Sequence, residues 1–240
     1  MQVEVCANSL ESALNAQKAG ADRIELCSEL GLGGVTPSFG LLKAVKEHIH
    51  IPVHVLIRPR GGDFVYSDFD FKVMLNDIDH CISLGFEGIV SGVLMSDFII
   101  DLKRTEQLIA ASRGSKFTFH RAFDWVQDPF IALQQLEQLG VNYVLTSGQQ
   151  KKAEDGIELL SALNENTKHC QIIPASGINY DNVLLFKEKK FKDVHFSAAS
   201  LLEKNVNRKN LPMSFLPFLD EDKVAISNLQ TIQDIVTRVK

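Results

Sequence analysis

Short β-rich runs recur along this 240-residue chain at positions 3–6, 23–27, 53–58, 88–91, 117–121, 143–146, 171–175 and 194–197. Their starts lie about 20 to 35 residues apart, the length of one strand, one helix and two loops. The segments between them carry helical stripes, such as Leu133, Leu136 and Leu139, or Leu159, Leu160 and Leu163. Three junctions share one form, at residues 18–22, 83–87 and 138–142. In each, a glycine (Gly20, Gly85, Gly140) stands at C′ of a helix, just before the chain enters a strand. Eight such units close into a (β/α)8 TIM barrel of the α/β class. The rival, an open doubly wound sheet, more often has about five or six strands and a Gly-rich first turn. The first turn here, Ala7-Asn8-Ser9, has no GxGxxG. The pattern therefore predicts the barrel.

Two stretches depart from the repeat. Residues 59–71 insert a polar, Gly-containing segment after the third strand, and residues 203–222 are irregular, with Pro212 and Pro217, before a helix candidate at 225–239. No linker-like break divides the chain. One domain over 1–240 is predicted, with a barrel core at 1–200 and an irregular segment plus C-terminal helix at 201–240. A net charge of −5 with scattered Lys and Arg gives no support to a nucleic-acid or anionic-membrane partner. Apolar runs fall short of a membrane span, and residues 1–6 already read as a strand instead of a signal peptide. The four cysteines form no CxxC pair, which favours a cytosolic chain with reduced thiols.

Alternation along the strands sorts outward from inward residues. Glu-x-Cys occurs twice, as Glu4-Val5-Cys6 and Glu25-Leu26-Cys27. Strand one then sends Glu4 and Cys6 inward, strand two Arg23, Glu25 and Cys27, and strand three His54, Leu56 and Arg58. Thr118 and His120 share one face of strand five. Charges inside a barrel must be paired or hydrogen-bonded, so one reading is an ion network that only fills the interior. The other concerns the groups nearest the C-terminal strand ends, where barrels place their sites: Cys6, Cys27, Arg58, Arg60, His120, Arg121 and Asp124.

The loops on that rim have anion-binding features. Gly33 and Gly34 precede Thr36 and Pro37, a plausible N-cap and N1 pair. Arg58 and Arg60 flank Pro59 before Gly61 and Gly62. Ser147 and Gly148, Ser176 and Gly177, and Ser197 close the sixth, seventh and eighth strands. Together they suit a phosphate- or carboxylate-bearing small molecule, with Glu25, His120 and Asp124 as acid–base candidates. No organic cofactor is suggested, and the lysines lie in helices and loops instead of at strand ends. Cys6 and Cys27, at the ends of adjacent strands, could alternatively hold a soft ion such as Cu(I). With no third soft ligand evident, such a site would be two-coordinate. Cys81 and Cys170 read as structural, and His48, His50, His169 and His195 as surface or packing residues.

Six stretches, at residues 4–6, 19–27, 33–38, 57–64, 118–124 and 145–148, together resemble the CutC family, the copper homeostasis proteins. They include Ala-Gly-Ala-Asp-Arg-Ile-Glu-Leu-Cys27 and Thr-Phe-His-Arg-Ala-Phe-Asp124. The resemblance implies a cytosolic TIM barrel, often a homo-oligomer, linked to copper tolerance or trafficking, with copper on Cys6 and Cys27. Ala175 stands where the resemblance implies a glycine, and Asp193 where it implies a glutamate. A copper role leaves Arg58, Arg60, His120, Arg121 and Asp124 unexplained. The alternative is therefore a barrel enzyme acting on a small anionic metabolite by proton-transfer or lyase-like chemistry.

Overall fold

The computed structural model describes residues 1–203 and 223–240. Strands and helices alternate: β1 (Gln2–Ala7), α1 (Leu10–Lys18), β2 (Arg23–Leu26), α2 (Phe39–His48), β3 (Val53–Leu56), α3 (Asp68–Ser83), β4 (Gly88–Ser91), α4 (Leu102–Ala111), β5 (Lys116–Phe119), α5 (Pro129–Gln138), β6 (Tyr143–Thr146), α6 (Ile157–Asn166), β7 (Gln171–Pro174), α7 (Val183–Glu188) and β8 (Asp193–Phe196). The strands pair in parallel in the order β7-β6-β5-β4-β3-β2-β1-β8. A parallel bridge from Ala175 to His195 brings the two ends together. The result is the TIM barrel that the repeat predicts.

Local chemistry explains the repeat. Gly20, Gly85 and Gly140 take φ of 84°, 77° and 77°, the left-handed region that costs a residue with a Cβ about 1–2 kcal/mol. Each ends its helix and turns the chain back towards the sheet. At the other end, side chains cap the helices: Ser9 accepts from Ser12 N–H at α1, and Ser67 and Asp70 form a reciprocal capping box at α3. The expected cap at Thr36 is displaced. Ser38 caps α2, because Thr36 Oγ1 instead accepts the N–H of Arg58 at 2.9 Å and the Ser28–Val35 bridge keeps the chain extended.

Outward residues Val3, Val5, Ile24, Leu26, Val53 and Val55 join the apolar core shared with the helices. Inside the barrel, Arg23 binds both Glu4 and Asp193 and lies 4.6 Å from the centre of the Tyr143 ring. His54 reaches across β4 because Gly88 has no Cβ; one there would collide with the imidazole.

The C-terminal part differs from the sequence expectation. Residues 225–227 belong to a strand, β10 (Lys223–Ser227), which pairs antiparallel with β9 (Ala199–Glu203). The last helix, α8 (Leu229–Val239), starts only after Asn228, whose side chain accepts from Thr231 N–H. Ladder pairing takes the chain as far as Ser227, and the cap sets the switch to helix. Most of the expected irregular stretch, 204–222, lies outside the described residues.

Candidate metal centre at the barrel mouth

The two Glu-x-Cys copies do not lie side by side. The β1–β2 register pairs Glu4 with Arg23 and Cys6 with Glu25, a stagger of two residues between the copies. A sheared barrel requires such offsets. Cys6 therefore sits beside Glu25, its Sγ 3.5 Å from Oε1, and Cys27 stands beyond, with the two sulfurs also 3.5 Å apart. On the other flank, β8 pairs His195 with Glu4, and His195 Nδ1 lies 2.7 Å from Glu4 Oε1. Ligand atoms of Cys6, Glu25 and His195 all fall within 4.8 Å of one another.

The electrostatics follow from burial and these neighbours. Burial opposes ionisation of Glu4, yet Arg23 and His195 hold its carboxyl well below the usual range. Glu25 is shifted the other way, chiefly by burial. The hydrogen bond with Cys27 and burial push the Cys6 thiol well up. Burial disfavours a charge on His195, but Glu25, Cys6 and Glu4 more than offset it and raise its pKa. Burial pushes Asp193 up to about 6 and His54 down to about 4, while burial and Arg58 take His120 down to about 3.

Above this cluster the barrel opens into a cavity of about 970 Å³. Cys6, Glu25, Arg58, His120, Arg121, Ser176, Gly177, Ser197 and His195 line it; Cys27, Gly34, Arg60, Asp124, Ser147 and Gly148 stand back from the lining. Glu25 Oε2 and His120 Nε2 are buried with no hydrogen-bond partner among the described residues.

Several residues expected to grip an anion are engaged by their own loops. Arg58 donates to the carbonyls of Leu32, Gly34 and Gly62, each at 2.8 Å. Arg60 pairs with Asp63 and Asp70 and donates to the Val65 carbonyl. After His120 a 3-10 turn, Arg121–Trp125, ends the strand alternation and brings Arg121 to the cavity wall. There Arg121 Nε binds Asp124 at 2.7 Å, and Asp124 also accepts from Thr146 Oγ1 and from the N–H groups of Ser147 and Gln149.

Of the two alternatives for His195, surface or packing, the structure gives the buried one: it is 8% exposed and touches Glu4 beside the thiols. The alternation that places Val194 and Phe196 in the outer core sends His195 inward. Applied to the eighth strand, the same rule would have found it.

Comparison with known proteins bears on the family and the fold. The CutC family profile matches residues 1–200. A CutC family protein of Salmonella agona (strain SL483) is 44% identical over 221 residues, covering 92% of this chain and 89% of that one. One from Photorhabdus laumondii is 47% identical over 201 residues, covering 84% and 81%. Among solved structures, a candidate copper homeostasis protein CutC from Streptococcus agalactiae superposes with a TM-score of 0.78 at 33% identity, over 82% of this chain and 98% of that one.

Proposed function

From the premise that this chain belongs to the CutC family, we propose that it is a copper homeostasis protein that takes Cu(I) on the thiolates of Cys6 and Cys27. The observation that carries this reading is the pair of buried sulfurs 3.5 Å apart at the base of the mouth. Thiolates are the ligands that select Cu(I) over harder ions. Cys27 is fully buried while Cys6 lines the cavity, so an arriving ion meets Cys6 first. A thiol must lose its proton to bind metal, and Glu25 Oε1 already accepts the Cys6 S–H.

All four cysteines are free, and the reading places the chain in the reducing cytosol as a homo-oligomer. No helix among the described residues is long and apolar enough to cross a membrane. The alternative, an enzyme acting on an anionic metabolite, is not favoured. Arg58, Arg60 and Asp124 spend their charge on neighbouring loops instead of facing a ligand.

The test is Cu(I) affinity under reducing conditions, measured by competition with a chromophoric chelator. Cys6→Ser with Cys27→Ser is expected to abolish tight, stoichiometric binding. Cys81→Ser with Cys170→Ser should leave it intact, since both of those thiols are buried in the outer core and neither lines the mouth. Equal loss from either pair would reduce the binding to adventitious thiol chemistry.

A further inference from the structure

The distance between the two sulfurs sets the coordination. With a metal–sulfur bond of about 2.3 Å, sulfurs 3.5 Å apart subtend roughly 100° at the ion. The two-coordinate site that the sequence alone suggests would, if linear, hold them much farther apart. A bent pair leaves one side of the ion open to a further donor. Two side chains place a ligand atom within 4.8 Å of the Cys6 sulfur, Glu25 and His195. Carboxylate oxygen suits hard cations, whereas imidazole suits copper.

His195 is also already oriented. Its Nδ1 faces Glu4 Oε1 at 2.7 Å, which assigns the Nδ1 proton to that bond and leaves Nε2 as the ring atom that coordinates once the arriving ion displaces its proton. Glu4 is held by Arg23, and Arg23 by Asp193, so the ring cannot turn without breaking a buried chain of ion pairs. A ligating histidine that donates its other N–H to a fixed carboxylate is the usual arrangement at protein metal sites. Resting on the copper reading and deepening it, we infer that His195 Nε2 is a third ligand to the ion held by Cys6 and Cys27, with Glu4 as its positioning residue.

X-ray absorption at the copper edge on the full chain loaded with Cu(I) alone, paired with chelator competition, tests this. The wild-type spectrum is expected to show two sulfurs and one imidazole nitrogen. H195Q should lose the nitrogen and bind roughly ten- to a hundredfold more weakly at unchanged stoichiometry. E4Q should keep the nitrogen while affinity falls by up to about tenfold, a combination that a purely structural role for Glu4 would not give. A wild-type shell of sulfur only, or an H195Q protein with unchanged spectrum and affinity, overturns the inference and leaves the two-thiolate reading standing. Retained tight binding in the Cys6→Ser, Cys27→Ser protein instead defeats the thiolate reading itself. The wild-type spectrum decides the third ligand even should H195Q fail to fold.

Discussion

Asp124 and Glu25 are both buried carboxylates near the mouth of one barrel, and their surroundings are opposite. Asp124 accepts from five donors: Arg121 Nε, Thr146 Oγ1, Ser147 N, Ser147 Oγ and Gln149 N. Glu25 receives one thiol at 3.5 Å on Oε1 and nothing on Oε2 among the described residues. A saturated carboxylate fixes the backbone around it and has no capacity left for a ligand. An undersaturated one pays a desolvation cost that folding alone does not explain. The β5–β6 side of the mouth is therefore closed on itself, and the β1–β2–β8 side is where the barrel is prepared for something else.

The largest test of that contrast removes the saturated group. Asp124→Ala removes the acceptor shared by Thr146, Ser147 and Gln149 and breaks the ion pair of Arg121. It should destabilise the fold by about 3 to 5 kcal/mol, read as a shift in the denaturant midpoint. A loss below about 1 kcal/mol would mean that the hydrogen bonds around Asp124 are ornamental and the side is not closed.

How much of this contrast the sequence held can be traced residue by residue. Gly20, Gly85 and Gly140 announced the βα repeat because only a residue tolerant of positive φ suits those corners. Alternation correctly turned Glu4, Glu25 and His54 inward, since strand phase is a local property. It could not give the stagger between strands, which the closure of the whole barrel sets, and so the partnership of Cys6 with Glu25 and of His195 with Glu4 was hidden. Arginine was the other difficulty. Arg58 begins where the sequence places it, but a long side chain can fold back, and its guanidinium ends on three carbonyls of its own rim. Strand pairing of residues 225–227 was likewise invisible, because their partner in β9 lies across residues 204–222.

A second test uses the histidines. His195 keeps its charge beside carboxylates, whereas His120, under burial and Arg58, is held neutral with a pKa of about 3. Because the unfolded chain takes up that proton near pH 6.5, stability from a neutral His120 is complete above pH 6.5. It is lost as pH falls towards 3, costing about 3 kcal/mol by pH 4.5. Asp193, raised to about 6, works in the other direction below pH 6, so the measurement is the slope of stability against pH in H120Q compared with the wild type. The variant should lose the His120 contribution and decline less steeply over this range. Identical slopes would mean that His120 is protonated inside the fold, and the division between neutral and charged histidines would fail.

The smallest expected effect is the most discriminating, because it applies one chemical change to both carboxylates. Glu25→Gln keeps the shape and removes a charge that burial disfavours. Since the folded-state pKa of Glu25 is raised, the folded chain binds more protons than the unfolded chain just above the usual carboxylate range, and its stability falls as pH rises there. The neutral amide escapes that penalty. E25Q should therefore be more stable than the wild type by about 1 kcal/mol at pH 8, with the gain vanishing as pH falls to the ordinary glutamate value, where both side chains are neutral. The same exchange at Asp124, D124N, should destabilise at pH 8, because the amide N–H₂ would face donors. Thermal unfolding of the two variants at both pH values separates the cases. If E25Q is instead destabilised at pH 8, the attraction between Glu25 and His195 outweighs burial. The carboxylate is then a satisfied structural partner like Asp124, and the cluster of Cys6, Glu25 and His195 loses its claim to be an open site.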